Sequence, residues 1–326
     1  MSAASEPVQA ADLLAVEEIT VRFASKRGEL VAVEDASLAL QRGETLGIVG
    51  ESGCGKSTLA RCIAGLLRPD SGRILLRGAD VTRARSRSER RMVQIVFQDP
   101  YSSLNPRLSV RSTLRELLAV HGLARGAAAE RRCRELMGLV GLPAGALDGY
   151  PNAFSGGQRQ RIAVARALAV EPEVIVADEP TSALDVSVQA TILALFEDLR
   201  SQLGLGIVMI SHNLAAIRHL CDRIAVMYLG RIVELGTRSE IFGDPRHPYT
   251  LALLAASPRI REETGGTRVR LSGEPPSPAN RPSGCHFHPR CPRAEERCSI
   301  ELPTLGVAAG SHALVACHFR DERRTR

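Results

Sequence analysis

The sequence predicts an α/β protein: a core with a parallel sheet, a smaller antiparallel sheet, a helical insertion and a cysteine-rich C-terminal extension. Three observations carry this. Short, purely apolar runs occur at Leu46, Gly47, Ile48 and Val49, at residues 174–177 and at residues 207–210, as in parallel strands covered on both faces. Helical periodicity fills much of the chain between the second and third. Alternation over residues 13–40 has instead the period of a half-exposed sheet.

Taken in order, Val16, Ile19, Val21 and Phe23, then Val31, Val33 and Leu38, mark short strands, with Lys26-Arg27-Gly28 as a turn. The strand at 46–49 runs into a glycine-rich turn, and residues 59–67 follow with helical spacing. Residues 73–78 give another strand of the alternating sheet. The basic run 83–91 has serines interleaved and no aromatics, so it reads as a solvated loop or helix face and not as a nucleic-acid surface. Residues 92–97 form an apolar strand that stops at Gln98-Asp99-Pro100, where the following Ser-Ser-Leu-Asn-Pro forces an irregular loop. Leu114, Leu117, Leu118, Leu136, Leu139 and Val140 mark helical faces over residues 110–140, and residues 141–149 break them. Ser155 is placed as N-cap of a helix through Ile162, Ala165 and Leu168 that closes at Glu171-Pro172. Leu193, Phe196 and Leu199 lie on the helix between two apolar strands, and residues 224–234 read as a hairpin turning at Leu229-Gly230. Beyond about His247, Pro, Gly, Arg and Cys take over. The expected division is a flexible 1–12, a main domain 13–245 with its helical part at about 99–154, and an extension 246–326.

A chain of 326 residues can bury a sizeable core, and its net charge of +6 is modest. No apolar run approaches the roughly 18–20 residues that span a bilayer. Residues 1–10 lack the charged-then-apolar plan of a signal peptide, so the expected compartment is the cytoplasm.

The glycine-rich turn is Gly50, Glu51, Ser52, Gly53, Cys54, Gly55, Lys56, Ser57 and Thr58, which fits G-x-x-x-x-G-K-[ST] between a strand and a helix. Glycines let the backbone turn its N–H groups around a polyphosphate, and the helix N-terminus adds its dipole. Lys56 would reach the β- and γ-phosphates of a nucleotide triphosphate, and Ser57 would ligate Mg²⁺. Asp178 and Glu179 close the strand at 174–177, where the first acid is suited to hold Mg²⁺ and the second to polarise a water. His212 and Gln98 also end strands; alone, neither residue is informative. The stretch Phe154, Ser155, Gly156, Gly157 and Gln158 supplies a second helix N-terminus suited to an anion. Two phosphate-gripping helix ends with one set of acids suggest that each grips the nucleotide of a different subunit.

In this order, with Ser182, Ala183, Leu184 and Asp185 after the acids, the motifs resemble those of the ATP-binding cassette (ABC) ATPases, over about residues 13–243. The resemblance implies a P-loop NTPase (RecA-like) core and ATP with Mg²⁺ as cofactors. Phe23 would stack on adenine, and Gln98 would sense Mg²⁺ and the attacking water. Ser155, Gly156, Gly157 and Gln158 would grip the partner's γ-phosphate, His212 would reach the γ-phosphate, and Asp185 would cross the dimer interface. Phe154 replaces the usual leucine, and Asn213 stands where an aspartate commonly follows the histidine. The segments 98–106, 240–242, 247–250 and 273–278 narrow the resemblance to dipeptide/oligopeptide importer ATPases, and GESGCGKST with Met227-Tyr228-Leu229-Gly230 to the second ATPase of their usual pair. That implies a homologous ATPase as heterodimer partner, two membrane permeases, an extracytoplasmic solute-binding protein, no nucleic acid, and a peripheral place on the cytoplasmic face of the inner membrane. A soluble ABC ATPase acting on ribosomes or nucleic acid, and a redox- or metal-responsive regulatory ATPase, are the alternatives.

Cys54, Cys62, Cys133 and Cys221 are scattered and read as small buried residues. Cys285, Cys291, Cys298 and Cys317 crowd the extension and offer four thiolates, the ligand number of zinc and of iron–sulfur clusters. Their spacings are wider than those of common zinc ribbons. Importer relatives carry similar cysteines, some with a cubane cluster, so a 4Fe-4S cluster is expected, with zinc or no metal as the alternatives. His286, His288, His312 and His318 lie near enough in sequence to substitute as ligands or to serve in turns.

Overall fold

The computed structural model describes residues 12–25, 28–99, 103–182, 184–257, 276–277 and 279–322. Residues 1–11 of the expected flexible segment 1–12, Lys26 and Arg27 of the expected turn, residues 100–102, Ala183, and residues 273–275 and 278 lie outside the described residues. Asp12, the last of the expected flexible segment, is instead buried and accepts a hydrogen bond from the Gln41 side chain.

Strands β1 (Leu14–Ser25) and β2 (Gly28–Leu40) form an antiparallel hairpin, and β3 (Thr45–Val49) leads through the glycine turn into α1 (Lys56–Ile63). Then come β4 (Ser71–Leu76), β5 (Ala79–Asp80), α2 (Arg87–Met92), β6 (Val93–Val96), α3 (Val110–Val120) and α4 (Gly126–Leu139). The middle of the chain closes with α5 (Gly156–Leu168), β7 (Val174–Asp178), α6 (Val186–Leu203) and β8 (Gly206–Ile210). After it run α7 (Leu214–Leu220), β9 (Arg223–Tyr228), β10 (Arg231–Thr237), α8 (Arg238–Gly243) and α9 (Pro248–Ala256). The extension adds α10 (Glu296–Ile300), β11 (Gly306–Val307) and β12 (Leu314–Val315). Two compact units result: one takes residues up to 41, 45–83 and 211 onward, the other 42–44 and 84–210.

In the first unit β1 pairs with β2 on one side (Val16↔Leu38) and β4 on the other (Leu14↔Leu76), both antiparallel. The alternating region is therefore two long strands of 12 and 13 residues, where short ones were expected. Register shifts between Val16 and Ile19 and between Ile19 and Val21 absorb the breaks in alternation. The second sheet of this unit runs β11-β12-β10-β9-β3. Its centre is the parallel pair β3–β9 (Ile48↔Ala225), and the β9–β10 hairpin turns at Leu229-Gly230 as the sequence indicated. Helix α1 stops at Ile63, short of the expected 67. Gly65, at φ 72°, ends it with a Schellman pair of bonds, Gly65 N–H to the Cys62 carbonyl and Leu66 N–H to the Arg61 carbonyl. Leu66 is consequently exposed. The extension joins the β3 sheet through β12, antiparallel to β10 (Leu235↔Leu314), over a small core of Ala308, Ala313 and Val315.

The second unit contains the parallel strands β6, β7 and β8 (Ile95↔Val176, Val176↔Val208), with β7 and β8 buried throughout. Helices α3 and α4 form the expected insertion and bury Leu114, Leu118, Cys133, Leu136 and Met137. On α6 the buried face is Ile192, Leu195, Phe196 and Leu199, and Leu193 is only half-buried. The basic run becomes α2, started by a Ser86/Glu89 capping box with no residue buried, so the solvated reading stands. No helix among the described residues is long and apolar enough to cross a membrane.

Candidate functional site

The glycine turn of the first unit has the backbone a phosphate loop needs. Gly50, Gly53 and Gly55 take φ of 155°, 78° and 106°, and Gly55 heads α1. At Gly50 a Cβ would lie 2.2 Å from the Met227 carbonyl oxygen, so both conformation and space demand glycine there. Lys56 is buried, and its Nζ donates to the carbonyls of Gly50 at 2.8 Å and Glu51 at 2.9 Å. The Cys54 thiol is buried, and burial pushes its pKa up although Lys56 pulls the other way, so it is an inert thiol in a loop that works through its backbone. Ser57 and Thr58 are half-buried in the first turn of α1, and Ser52 is exposed.

The β1–β2 hairpin lies against this loop. A Cβ on Gly55 would come within 2.2 Å of the Ala32 carbonyl oxygen, and the Gly230 N–H donates to the Cys54 carbonyl while its own carbonyl accepts the Glu34 N–H. Phe23, paired with Leu30 on the same hairpin, is 39% exposed, a flat apolar face open to a base. Ser211 hangs its N–H on the Ile48 carbonyl at 3.4 Å, which sets the exposed His212 next to the end of β3. Asn213, the departure from the usual aspartate, caps α7 by accepting the N–H groups of Ala215 and Ala216. The replacement thus has a structural role of its own.

Sequence reasoning missed a second set of residues around the loop. Tyr249 Oη accepts the Glu51 N–H at 2.9 Å, and both terminal nitrogens of Arg290 donate to the Glu51 carboxylate, at 2.9 and 3.0 Å. Arg281 bonds Glu34 at 2.7 Å and also the Val31 carbonyl, and Arg231 lies 3.6 Å from Glu34. The only signal for these was the His247-Pro248-Tyr249-Thr250 stretch; nothing in the sequence marked Arg290.

In the second unit, Asp178 ends β7 and is buried, and Glu179 follows at φ 49°, a left-handed conformation that is costly for a residue with a side chain. Its N–H donates to the Ile210 carbonyl at 2.9 Å, and its carbonyl accepts from the Ser182 N–H and hydroxyl, which hold the strained turn. Because β6 and β7 are parallel with Val96 opposite Ala177, the exposed Gln98 emerges at the same end of the sheet as the two acids. Ser155 is the N-cap of α5 as expected: its Oγ accepts the Gln158 N–H at 3.3 Å, and Gln158 Oε1 accepts the Ser155 N–H at 3.0 Å. Ser155 and Gln158 are exposed, Gly156 is half-buried and Gly157 is buried. Phe154 fits in place of leucine because residue 149 is glycine, where a Cβ would lie 2.5 Å from its ring. Asp185 heads α6 but makes no side-chain capping bond.

The extension cysteines depart from expectation. All four are free thiols, and Cys298 and Cys317 are buried. Burial pushes Cys285 up to about 11 and raises Cys291 and Cys317, and each of the three would feel the charge of its neighbours. The N–H groups of Phe287, Arg293 and Phe319 bond the sulfurs of Cys285, Cys291 and Cys317. Among the described residues, however, no three His, Cys, Asp or Glu side chains stand together closely enough to hold a metal ion. The histidines have other roles: His288 Nδ1 bonds the Cys285 carbonyl at 3.0 Å, His318 Nε2 bonds the Glu301 carbonyl at 2.9 Å, and the His312 N–H bonds Glu240. His286 lies 3.9 Å from Glu34.

Comparison with known proteins agrees with this anatomy. The ABC transporter family matches residues 33–182, and the C-terminal region of oligopeptide/dipeptide transporters matches residues 233–298. The oligopeptide transport ATP-binding protein AppF of Bacillus subtilis is 47% identical over 303 residues, covering 91% of this chain and 92% of that protein. The dipeptide transport ATP-binding protein DppF of Escherichia coli is 47% identical over 294 residues, covering 89% and 87%. Among solved structures, cbiO1 of Clostridium perfringens, part of the ABC transporter complex cbiONQ, aligns with TM-score 0.65 and 29% identity over 78% of this chain and 99% of its own. The dimeric cassette MJ0796 bound to ADP and Pi aligns with TM-score 0.63 and 28% identity over 69% and 98%. These relatives lend no support to the ribosomal, nucleic-acid or regulatory alternatives. With both its cassette and its C-terminal region matched, the chain belongs to the ABC ATPases of the oligopeptide/dipeptide importer family, whose members hydrolyse ATP with Mg²⁺.

Proposed function

We infer that this chain powers the import of di- or oligopeptides, or related small solutes, as a peripheral subunit on the cytoplasmic face of a bacterial inner membrane. The observation that carries the reading is a likeness of 47% along 91% of the chain to a protein named for oligopeptide transport. Its partners would be a homologous second ATPase, in a heterodimer, together with two permeases and a solute-binding protein. Residues 13–245 would be the ATPase domain, with its helical part at about 99–154 facing the permeases, residues 1–12 a flexible lead and residues 246–326 the importer-type extension.

In this reading the phosphate loop, residues 50–58, binds the ATP phosphates, Phe23 stacks on adenine, and Ser57, Gln98 and Asp178 hold Mg²⁺. Glu179 accepts a proton from the attacking water, with Gln98 and His212 orienting water and γ-phosphate. The left-handed turn at Glu179 supports that role, since such strain persists where a side chain must be aimed. Ser155, Gly156, Gly157 and Gln158 close on the partner's nucleotide, and Asp185 crosses between subunits. The dimeric relative bound to ADP and Pi supports a two-cassette arrangement. Uptake of a labelled peptide by vesicles holding the assembled importer tests the reading. ATP-dependent uptake that Glu179→Gln abolishes is expected, and recovery of ribosomes or DNA in place of membrane partners would overturn it.

The same reading extends to a 4Fe-4S cluster at Cys285, Cys291, Cys298 and Cys317, with zinc as the alternative. Four thiols within range of one another's charge, three of them accepting amide hydrogen bonds, support it. The side chains would have to turn inward, because as arranged no three of them stand close enough to ligate. Iron, acid-labile sulfide and zinc are to be measured on protein purified without oxygen, beside a Cys285→Ser/Cys291→Ser variant. Iron and sulfide that vanish in the variant support the cluster; absence of metal from both proteins removes it.

A further inference from the structure

Glu51 is the second residue of the phosphate loop, and it is tied down at three points. Its N–H donates to Tyr249 Oη, its carbonyl accepts from Lys56 Nζ, and its carboxylate takes the fork of Arg290. A two-pronged guanidinium–carboxylate pair is the directional form of an ion pair, which an ammonium group cannot reproduce. Arg290 itself has little freedom. It is 8% exposed, its guanidinium carbon lies 5.9 Å from the centre of the Tyr228 ring, and its Nη1 is 3.4 Å from Tyr228 Oη.

The backbone beneath Arg290 belongs to the cysteine extension. Residues His288–Arg290 form a 3₁₀ turn that separates Cys285 from Cys291. Phe287, at the start of that turn, is 1% exposed and packs its ring 5.3 Å from Tyr228, 5.5 Å from Tyr249 and 5.8 Å from His247. Aromatic side chains are only 3% of the sequence, yet three of them gather here, behind the loop. The phosphate loop needs such an anchor. Its glycines at 50, 53 and 55 give it conformational freedom that binding must remove, and a Cβ on Gly53 would meet nothing within 4 Å, so no neighbour limits it on that side.

We propose that Arg290 is a positioning residue for nucleotide binding: by fixing Glu51 it holds the phosphate loop in its binding course, which makes the cysteine extension a working part of the nucleotide site. This rests on the loop's being the ATP site. The anchor acts on the loop before nucleotide arrives, so it lowers the ordering cost of binding for ATP and ADP alike. Its loss weakens binding and raises KM while leaving kcat nearly unchanged.

The test titrates fluorescent ATP and ADP analogues into the full-length chain as wild type, Arg290→Gln, Glu51→Gln, the double variant, Arg290→Lys and Lys56→Ala. Arg290→Gln and Glu51→Gln each weaken both nucleotides about tenfold, the scale of a lost charged hydrogen bond. The double variant binds no more weakly than the weaker single one, since each residue acts through the other. Arg290→Lys recovers part of the loss. A role in stability alone would lower the unfolding temperature and leave these Kd values where they are. Wild-type affinity in Arg290→Gln, with binding abolished in Lys56→Ala, overturns the proposal and spares the loop. Unchanged affinity in Lys56→Ala removes the loop as the ATP site, and the proposal falls with it. Losses that multiply to about a hundredfold in the double variant refute action through Glu51. Should Arg290→Gln fail to fold, Glu51→Gln and Arg290→Lys decide: wild-type affinity in both overturns the proposal, and a loss in Glu51→Gln that exceeds the loss in Arg290→Lys supports it.

Discussion

Ser155 has two roles that one substitution removes and another separates. Its hydroxyl caps α5, accepting the Gln158 N–H at 3.3 Å, and the same helix end is the surface proposed to meet a partner's γ-phosphate. Ser155→Ala deletes the cap and should cost about 1 kcal/mol, a fall of about 1–2 °C in the unfolding midpoint of a chain of 326 residues. Ser155→Asp keeps an acceptor at the cap and places a negative charge at the positive end of the helix, worth about 0.3–1 kcal/mol in its favour. Its stability should equal or exceed that of the wild type. Function should run the other way, because the new carboxylate would face a phosphate. Two like charges about 4 Å apart repel by about 1 kcal/mol in water and about 4 kcal/mol in a partly buried interface. A loss of ATP-driven closure between about fivefold and a thousandfold follows. Thermal unfolding of the full chain and the ATPase rate of the assembled importer measure the two orders. A stable Ser155→Asp protein with wild-type turnover would take the α5 end away from the nucleotide, and a Ser155→Asp protein as unstable as Ser155→Ala would refute the capping argument.

Three further outcomes are expected. Glu179→Gln should bind ATP normally and lose at least about a hundredfold in turnover, the lower limit of the usual worth of a general base; a rate near wild type would remove Glu179 from that role. Gly50→Ala should lose ATP binding, because the added Cβ meets the Met227 carbonyl oxygen and the residue sits at a φ costing about 1–3 kcal/mol; normal nucleotide titration would refute it. Glu234 is fully buried, and burial raises it to about 7 even though the N–H groups of Arg246 and His247 bond it. A carboxyl raised on folding takes up a proton as the chain folds. Its contribution is therefore fully present below about pH 4.5, its unfolded value, and is lost as pH climbs through about 7, by at most about 3 kcal/mol. Glu234→Gln should flatten the stability profile between those pH values, and an unchanged slope would assign it to other groups.

How much of this could be read from the chain depends on how local its causes are. The strand–glycine–helix unit around residues 46–63 was legible because strand, turn and helix each leave a contiguous pattern, and Ser155 was legible as a cap because its partner Gln158 is three residues away. The length of β1 and β2 was not, since bulges between Val16 and Val21 interrupt an alternation that pairing alone restores. Glu234 ends a hairpin pattern that carries no sign of its burial, which amides 12 and 13 residues away make tolerable by supplying the hydrogen bonds water would give. The two-residue strands β11 and β12 carry no periodicity; β12 is a strand only through its pairing with β10, and β11 only through its pairing with β12. Arg290 was one arginine among many in a basic sequence, and its fork on Glu51 is a fact of packing alone.

The distance along the chain between those last two residues has a consequence for biosynthesis. Glu51 and Arg290 are 239 residues apart, and β12, which follows Arg290 in the chain, pairs back onto β10 at Leu235↔Leu314. At about 5–20 residues per second, a ribosome that has made the phosphate loop needs roughly 12–50 s more to make its anchor. The strand, the glycines and Lys56 exist through that interval without the guanidinium that fixes Glu51. A nascent or prematurely ended chain thus carries every residue of the loop but not its final stiffness, and a segment made much later completes a site begun much earlier.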